Sequence, residues 1–416
     1  MPYPCRFSYR LARTVGLLLL VILALVPSLA ALARPISSTP ALPAQLRSAA
    51  DAPFTVFVPM ARRPRPPLGM IIQPSELMLA KAQYDARLEP ARTAVRSLFK
   101  NAGEAMADTP CAVATYTTSA GYDCLNRASE NAYLLALAYR MTGNTAYSDK
   151  GAAFIHAWMD TLTSVDMSDD QANLDWSRLM PAMIWGADLL TSTPSWGESD
   201  RAAFMSFVRK DARPQAKLAA QRRNNWADAG NLLWLSVAVY ANLPSERDAA
   251  VANWKKLLNG QPDTSGAALS DKCIDSDWVY GMCRDGSITE ENRRDDALSY
   301  NQAAMSMKTV FAEIRRRQGD GSLYTYRTPR GVGLKNGWDF LAPKVVDAFA
   351  GRCSWPYSAN HCVPKANRSG WEVAYAYWRS PVYLPVLAEH RPYTWSNWAD
   401  PGYSTALYGS LNLLGQ

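Results

Sequence analysis

The stretch Ser129-Glu130-Asn131-Ala132-Tyr133-Leu134-Leu135-Ala136-Leu137-Ala138-Tyr139-Arg140-Met141 reads as a buried-type helix, with Gly143 available to end it. Tyr147 to about Leu162 supplies a second apolar stripe, so the two segments form a helical hairpin. The pattern recurs at Trp176–Leu190 with Glu198–Asp211, at Trp226–Ala241 with Ser245–Leu258, and at Asp295–Arg317. Strand-like alternation is scarce and coiled-coil heptads are absent. Antiparallel helix pairs of this kind predict an all-α solenoid or toroid whose hairpins pack side by side around a cleft.

Outward from this helical region, residues 1–33 have the three-part form of a secretory signal peptide: Arg6, Arg10 and Arg13, an apolar run from about Val15 to Leu25, then Pro27 and Ala31-Leu32-Ala33. An uncleaved anchor is the alternative, and both imply export, to the periplasm or the outside of the cell. Cleavage would leave no stable membrane association. Residues 34–73 contain eight prolines with little apolar periodicity and read as an extended linker. Residues 74–416 show no second proline-rich break, which favours one large domain, read as a monomer.

Removing the leader takes away three arginines and no acidic residue, lowering the formal charge from +7 to +4. That mild surplus suits an anionic ligand and gives no reason to invoke nucleic acid. Of the cysteines, Cys5 lies in the leader, and the others fall into the close pairs Cys111/Cys124, Cys273/Cys283 and Cys353/Cys362. Proximity in an exported chain predicts three local disulfides. No C-x-x-C occurs, and only His361 stands beside a cysteine, so no metal is expected. Most of the tryptophans and tyrosines are expected in the core, with a minority free to line a sugar-binding groove.

Two segments carry candidate chemistry. In Glu290-Glu291-Asn292-Arg293-Arg294-Asp295-Asp296-Ala297-Leu298-Ser299-Tyr300-Asn301, read as helix, Arg293 and Tyr300 would share a face about 10 Å apart. A tyrosine beside a fixed cation suits proton transfer, and an arginine on a carboxylate stabilises charge on the neighbouring carbon. The bland alternatives are a packed tyrosine and an ion pair of Arg293 with Glu290 or Asp296; Arg294 is the alternative cation. In Gln221-Arg222-Arg223-Asn224-Asn225-Trp226, the asparagines stand at a helix entry. They either cap the helix or hold a carboxylate there.

Together these segments resemble the mannuronate-cleaving alginate lyases. Arg223-Asn224-Asn225-Trp226 is similar to that family's Asn-Asn-His motif, and Glu290, Arg293, Ala297, Leu298 and Tyr300 meet its Glu-x-x-Arg-x-x-x-Ala-Leu-x-Tyr-His. Ala138–Gly143 and Gly370–Tyr375 extend the resemblance over about residues 125–380. It implies an (α/α) toroid or incomplete barrel of antiparallel helix hairpins, acting on a 1,4-linked uronate polymer by β-elimination without metal or organic cofactor. Asn225 and Arg293 match the groups that neutralise the substrate carboxylate. Tyr300 matches the group that removes the C5 proton and protonates the leaving O4. Asn224, Trp226, Arg223 and Glu290 are the accompanying substrate-binding candidates.

Two positions depart from the family pattern: Trp226 replaces one histidine and Asn301 another. An indole donates one hydrogen bond but shuttles no proton, leaving Tyr300 to act alone from one face of the sugar. That restricts elimination to syn geometry, which mannuronate and glucuronate allow and guluronate does not. His156 reads as a core residue and His390 as a helix end, while His361 falls in a presumed disulfide loop. The rival readings are an inactive uronan-binding protein and a helical-toroid glycoside hydrolase drawing carboxylates from Asp228, Asp277, Asp285 or Glu290.

Overall fold

A computed structural model describes residues 69–260, 280–357, 362 and 368–413, within a compact unit spanning Pro64–Gln416. The leader, most of the proline-rich segment, Cys273, Asp277 and His361 lie outside the described residues. The helices are α1 (Pro74–Asp85), α2 (Ala91–Ala107), α3 (Tyr122–Thr142), α4 (Thr145–Thr161), α5 (Asp170–Leu190), α6 (Glu198–Phe207), α7 (Arg213–Ala219), α8 (Asn225–Tyr240) and α9 (Pro244–Asn259). They continue with α10 (Ala297–Arg317), α11 (Ser322–Thr325), α12 (Leu334–Phe349), α13 (Gly370–Trp378), α14 (Leu384–His390) and α15 (Ser404–Tyr408). The described strands are Thr115–Tyr116 and Ser164–Val165, paired in parallel.

The most deeply buried helices form an inner layer. α3 packs on α5, α5 on α8, α8 on α10 and α10 on α13; α15 then touches α1, α2 and α13, and α1 and α2 return to α3. Outside this ring α4 lies against α3, α7 and α9 against α8, and α12 against α10. The architecture is therefore an (α/α) toroid of helix hairpins, as the sequence implied. The first turns of α3 and α10 meet at one cavity, and the first residue of α8 is tied to Glu291, just before α10.

Local chemistry explains the boundaries. α3 ends at Gly143, whose left-handed backbone donates its N–H to the Tyr139 carbonyl at 2.7 Å. The segment expected as one helix over Glu198–Asp211 leaves α-geometry at a π turn, Val208–Ala212; Pro214 in the next turn has no N–H for the ladder. Gly69–Ile72 are buried: the Asp188 carboxylate accepts from Gly69 N–H at 3.1 Å and Met70 N–H at 2.9 Å, and the Tyr408 hydroxyl donates to the Ile71 carbonyl at 2.5 Å. Most of the largest fully buried side chains are aromatic, including Trp158, Trp176, Trp185, Trp254, Trp338 and Trp371. Disulfides join Cys111 to Cys124 and Cys353 to Cys362, and Cys283 is also disulfide-bonded. Among the described residues no helix is long and apolar enough to cross a membrane.

The layers meet at backbone distance. A Cβ on Gly230 would lie 2.5 Å from Ala220 N, and one on Gly186 would lie 2.9 Å from the Ala132 carbonyl carbon. Gly230→Ala should therefore force α7 from α8 and cost on the order of 1–3 kcal/mol. Gly103→Ala, where nothing lies within 4 Å, should instead gain about 0.5–1 kcal/mol from helix propensity. Urea unfolding midpoints check both; a neutral Gly230→Ala would contradict the packing account.

Candidate active site

The site is built around the entry to α10, where the structure corrects the sequence reading. Residues 290–301 do not form one helix. Glu290–Arg293 is a 3-10 turn, Arg294 is extended, and α10 begins at Ala297. The cause is Asn301, fully buried in the first turns of α10. Its side-chain oxygen accepts from Ile288 N–H at 2.7 Å, and its amide donates to Asn292 Oδ1 at 3.1 Å and to the Ala297 carbonyl at 3.0 Å. These bonds hold the preceding turn against α10. Arg293 and Tyr300 consequently do not share a continuous helical face: Arg293 pairs with Glu290, while the Arg294 guanidinium carbon lies 4.5 Å from the Tyr300 ring centroid.

At the start of α8 the two asparagines divide their tasks. Asn224 is the cap, its side chain accepting from Trp226 N–H at 3.1 Å. Asn225 is 1% exposed, and neither atom of its side-chain amide has a hydrogen-bond partner among the described residues. Its backbone N–H donates to Glu291 Oε1 at 2.7 Å. Glu291 is fully buried, and burial pushes its carboxyl up to about 8 against the opposing pull of Arg294 and the Asn225 N–H. Burial pulls the Arg294 guanidinium down, but Glu291 and Tyr300 outweigh it and leave it above its ordinary value. Asn225, Glu291, Arg294 and Tyr300 thus form a linked series from the α8 N-terminus to the α10 N-terminus.

Tyr300 opens onto a cavity of about 490 Å³, whose other lining residues are Asn126, Asp296, Ser299, Arg368, Trp395, Ser396, Asn397 and Trp398. Tyr300 is the one residue nominated from the sequence among them. The far wall is the loop before α15, tied down at several points. Trp395 Nε1 donates to Asn126 Oδ1 at 3.1 Å and Asn397 to the Tyr122 hydroxyl at 2.8 Å, while Ser306 donates to buried Asp400. Trp398 meets Tyr300 edge-on, with ring centroids 6.0 Å apart, and the guanidinium carbons of Arg178 and Arg368 lie 5.0 and 4.6 Å from its ring centroid. Among the described lining residues Asp296 is the one carboxylate.

The remaining nominated residues border other surroundings. Trp226 is half-buried, with the Arg222 guanidinium carbon 5.2 Å from its ring centroid; Arg223 and Asn224 are also half-buried. His156 lies 3.4 Å from Asp200, and His390 sits between Phe349 and Tyr393. Asp228 is buried with Lys308 and Tyr280, and Asp285 accepts from Ser287. Among the described residues no cluster of His, Cys, Asp or Glu is arranged to hold a metal ion. Sequence reasoning missed Arg368 and the 395–398 wall. Thr394-Trp395-Ser396-Asn397-Trp398, lying between Pro392 and Pro401 without helical periodicity, was the available signal.

Glu291, Asp188, Glu130 and Asp400 are raised by burial to about 8, 7, 7 and 6. A carboxyl that keeps its proton longer when folded contributes stability below its unfolded value, and that contribution is lost as pH rises through the folded value. The urea midpoint should therefore fall between pH 5 and pH 8, and Glu291→Gln should flatten the upper part of that fall. An equally steep fall in Glu291→Gln would contradict the assignment.

The alginate lyase family model matches residues 83–271 and 276–350. A search of the curated proteins finds no match. Among solved structures, the fold is similar to an alginate lyase from Bacteroides ovatus, with 14% identity, 82% of this chain and 98% of that chain covered, and a TM-score of 0.58. It is also similar to a histidine-to-alanine variant of alginate lyase A1-III complexed with tetrasaccharide, with 16% identity, 73% and 85% coverage, and a TM-score of 0.53. Alginate lyase A1-III from Sphingomonas species A1 aligns with 16% identity, 69% and 76% coverage, and a TM-score of 0.50. With the family model matched over more than half of its length, the chain belongs to the alginate lyase family.

Proposed function

We propose that this protein is an exported polysaccharide lyase that cleaves a 1,4-linked uronate polymer, polymannuronate or a glucuronate polymer, by β-elimination. The observation that carries this reading is Tyr300 on the wall of the cavity, with the Arg294 guanidinium against its ring. Positive charge near the substrate carboxylate stabilises the enolate-like charge that forms as the C5 proton leaves. Tyr300 accepts that proton and delivers one to O4, breaking the C4–O bond and leaving a 4,5-unsaturated uronate. Asn225 supports the same step through its unspent side-chain amide, and Glu291 holds its backbone in place. Arg293 keeps the role implied by the family motif while paired with Glu290.

Trp226 supplies no second proton-transfer group, so both transfers take place on one face of the ring. This favours mannuronate and glucuronate over guluronate. A hydrolase needs two carboxyl groups flanking the bond, whereas among the described residues lining the cavity Asp296 is the one carboxylate. Export rests on the leader-like residues 1–33 and on the disulfides.

Mature protein incubated separately with polymannuronate, glucuronan and polyguluronate, with ultraviolet absorbance followed for the conjugated product, tests the proposal. Absorbance should grow with one or both of the first two. No growth on any polymer would refute the lyase reading for these substrates, and growth confined to polyguluronate would refute single-face elimination.

A further inference from the structure

Resting on the uronate reading above, we infer that Arg368 anchors the carboxylate of the sugar unit in the Tyr300 cavity and sets a requirement for an acidic sugar there. Arg368 forms part of the cavity wall yet is only 4% exposed. Among the described residues its Nε and Nη1 have no hydrogen-bond partner, and its Nη2 makes one long bond, 3.4 Å, to Ser299 Oγ. A buried guanidinium left in this state is unfavourable, because it has lost water without gaining equivalent acceptors.

The neighbouring charges show why the need remains. Arg178, the other guanidinium against Trp398, is paired with Asp175 at 2.8 Å and reaches the Tyr122 hydroxyl at 3.3 Å. Asp400 and Asp296 attract Arg368 from longer range, but desolvation outweighs them and pulls the guanidinium below its ordinary value. Asp400 meanwhile accepts from Ser306 and, at 3.4 Å, from Ser396. Arg368 and Ser299 line the same stretch of the cavity, and an incoming carboxylate meets the guanidinium at that edge. There the carboxylate replaces a weak hydroxyl acceptor with a charged one in a poorly screened site. Ser299 immediately precedes Tyr300, so this anchor would hold the acidic sugar against the proton-transfer group.

The test is calorimetric binding in a Tyr300→Phe background, which prevents turnover, using a saturated mannuronate tetrasaccharide and its neutral methyl ester. The acid should bind at least about tenfold more tightly than the ester, and Arg368→Gln should reduce that ratio to about two or less by weakening the acid alone. Equal binding of acid and ester, or an undiminished ratio in Arg368→Gln, would overturn the assignment. Circular dichroism establishes that each variant is folded. Should Arg368→Gln not fold, Arg368→Lys, with a compact charge in place of the guanidinium plane, is expected to lower the ratio at least threefold; an unchanged ratio would overturn the assignment. Acid-selective binding that depends on Arg368, in a parent protein yielding no unsaturated product, would uphold the anchor and refute the lyase reading instead.

Discussion

The site depends on the three hydrogen bonds of the Asn301 side chain. They tie the Ile288 N–H, Asn292 and the Ala297 carbonyl to the first turns of α10, with every bond buried. Truncating such a group would leave several polar atoms unsatisfied, at about 1–3 kcal/mol each. The constraint shapes the chain before it acts on any ligand. It produces the 3-10 turn and the extended residue after it, which bring Arg294 to Tyr300 and Glu291 to the backbone of Asn225. Asn301 thus holds the turn before α10 in place.

The toroid was legible in the sequence because helical periodicity reports burial directly. Ser129–Met141 is apolar around most of its circumference, and that is the pattern of an inner helix packed on several sides. Tyr300 was nominated through its motif, and the structure places it on the wall of the cavity. The identity of the cation that meets the Tyr300 ring was not legible. Arg293 and Arg294 are adjacent, and choosing between them needs the path of the backbone, which Asn301 decides by a contact that spacing on an ideal helix does not contain. Arg368 was hidden for a different reason: it reaches the cavity that Tyr300 lines only when α13 packs on α10 and Trp398, in the loop after α14, meets both residues.

The cavity places uncompensated charge beside the group proposed to move protons. Arg178 is balanced by Asp175, whereas Arg368 has two nitrogens without partners among the described residues. Asn225 likewise keeps an unspent amide at the N-terminus of α8, where the helix dipole favours negative charge. Such groups cost stability in the empty protein and become useful when an anion arrives, which is the usual economy of an electrostatic active site. The buried Glu291 carboxyl fits this scheme as a support: it accepts from the Asn225 N–H at the α8 entry and acts electrostatically on Arg294, and it is not among the residues lining the cavity.

The central claim is that Tyr300 alone carries both proton transfers. It is tested most directly by the rate of unsaturated-product formation in Tyr300→Phe, measured alongside tetrasaccharide binding on a polymer the parent protein cleaves. The account predicts a loss of about 10²–10⁴-fold in rate with binding within a factor of about two of the parent. A variant that forms product at close to the parental rate would contradict it.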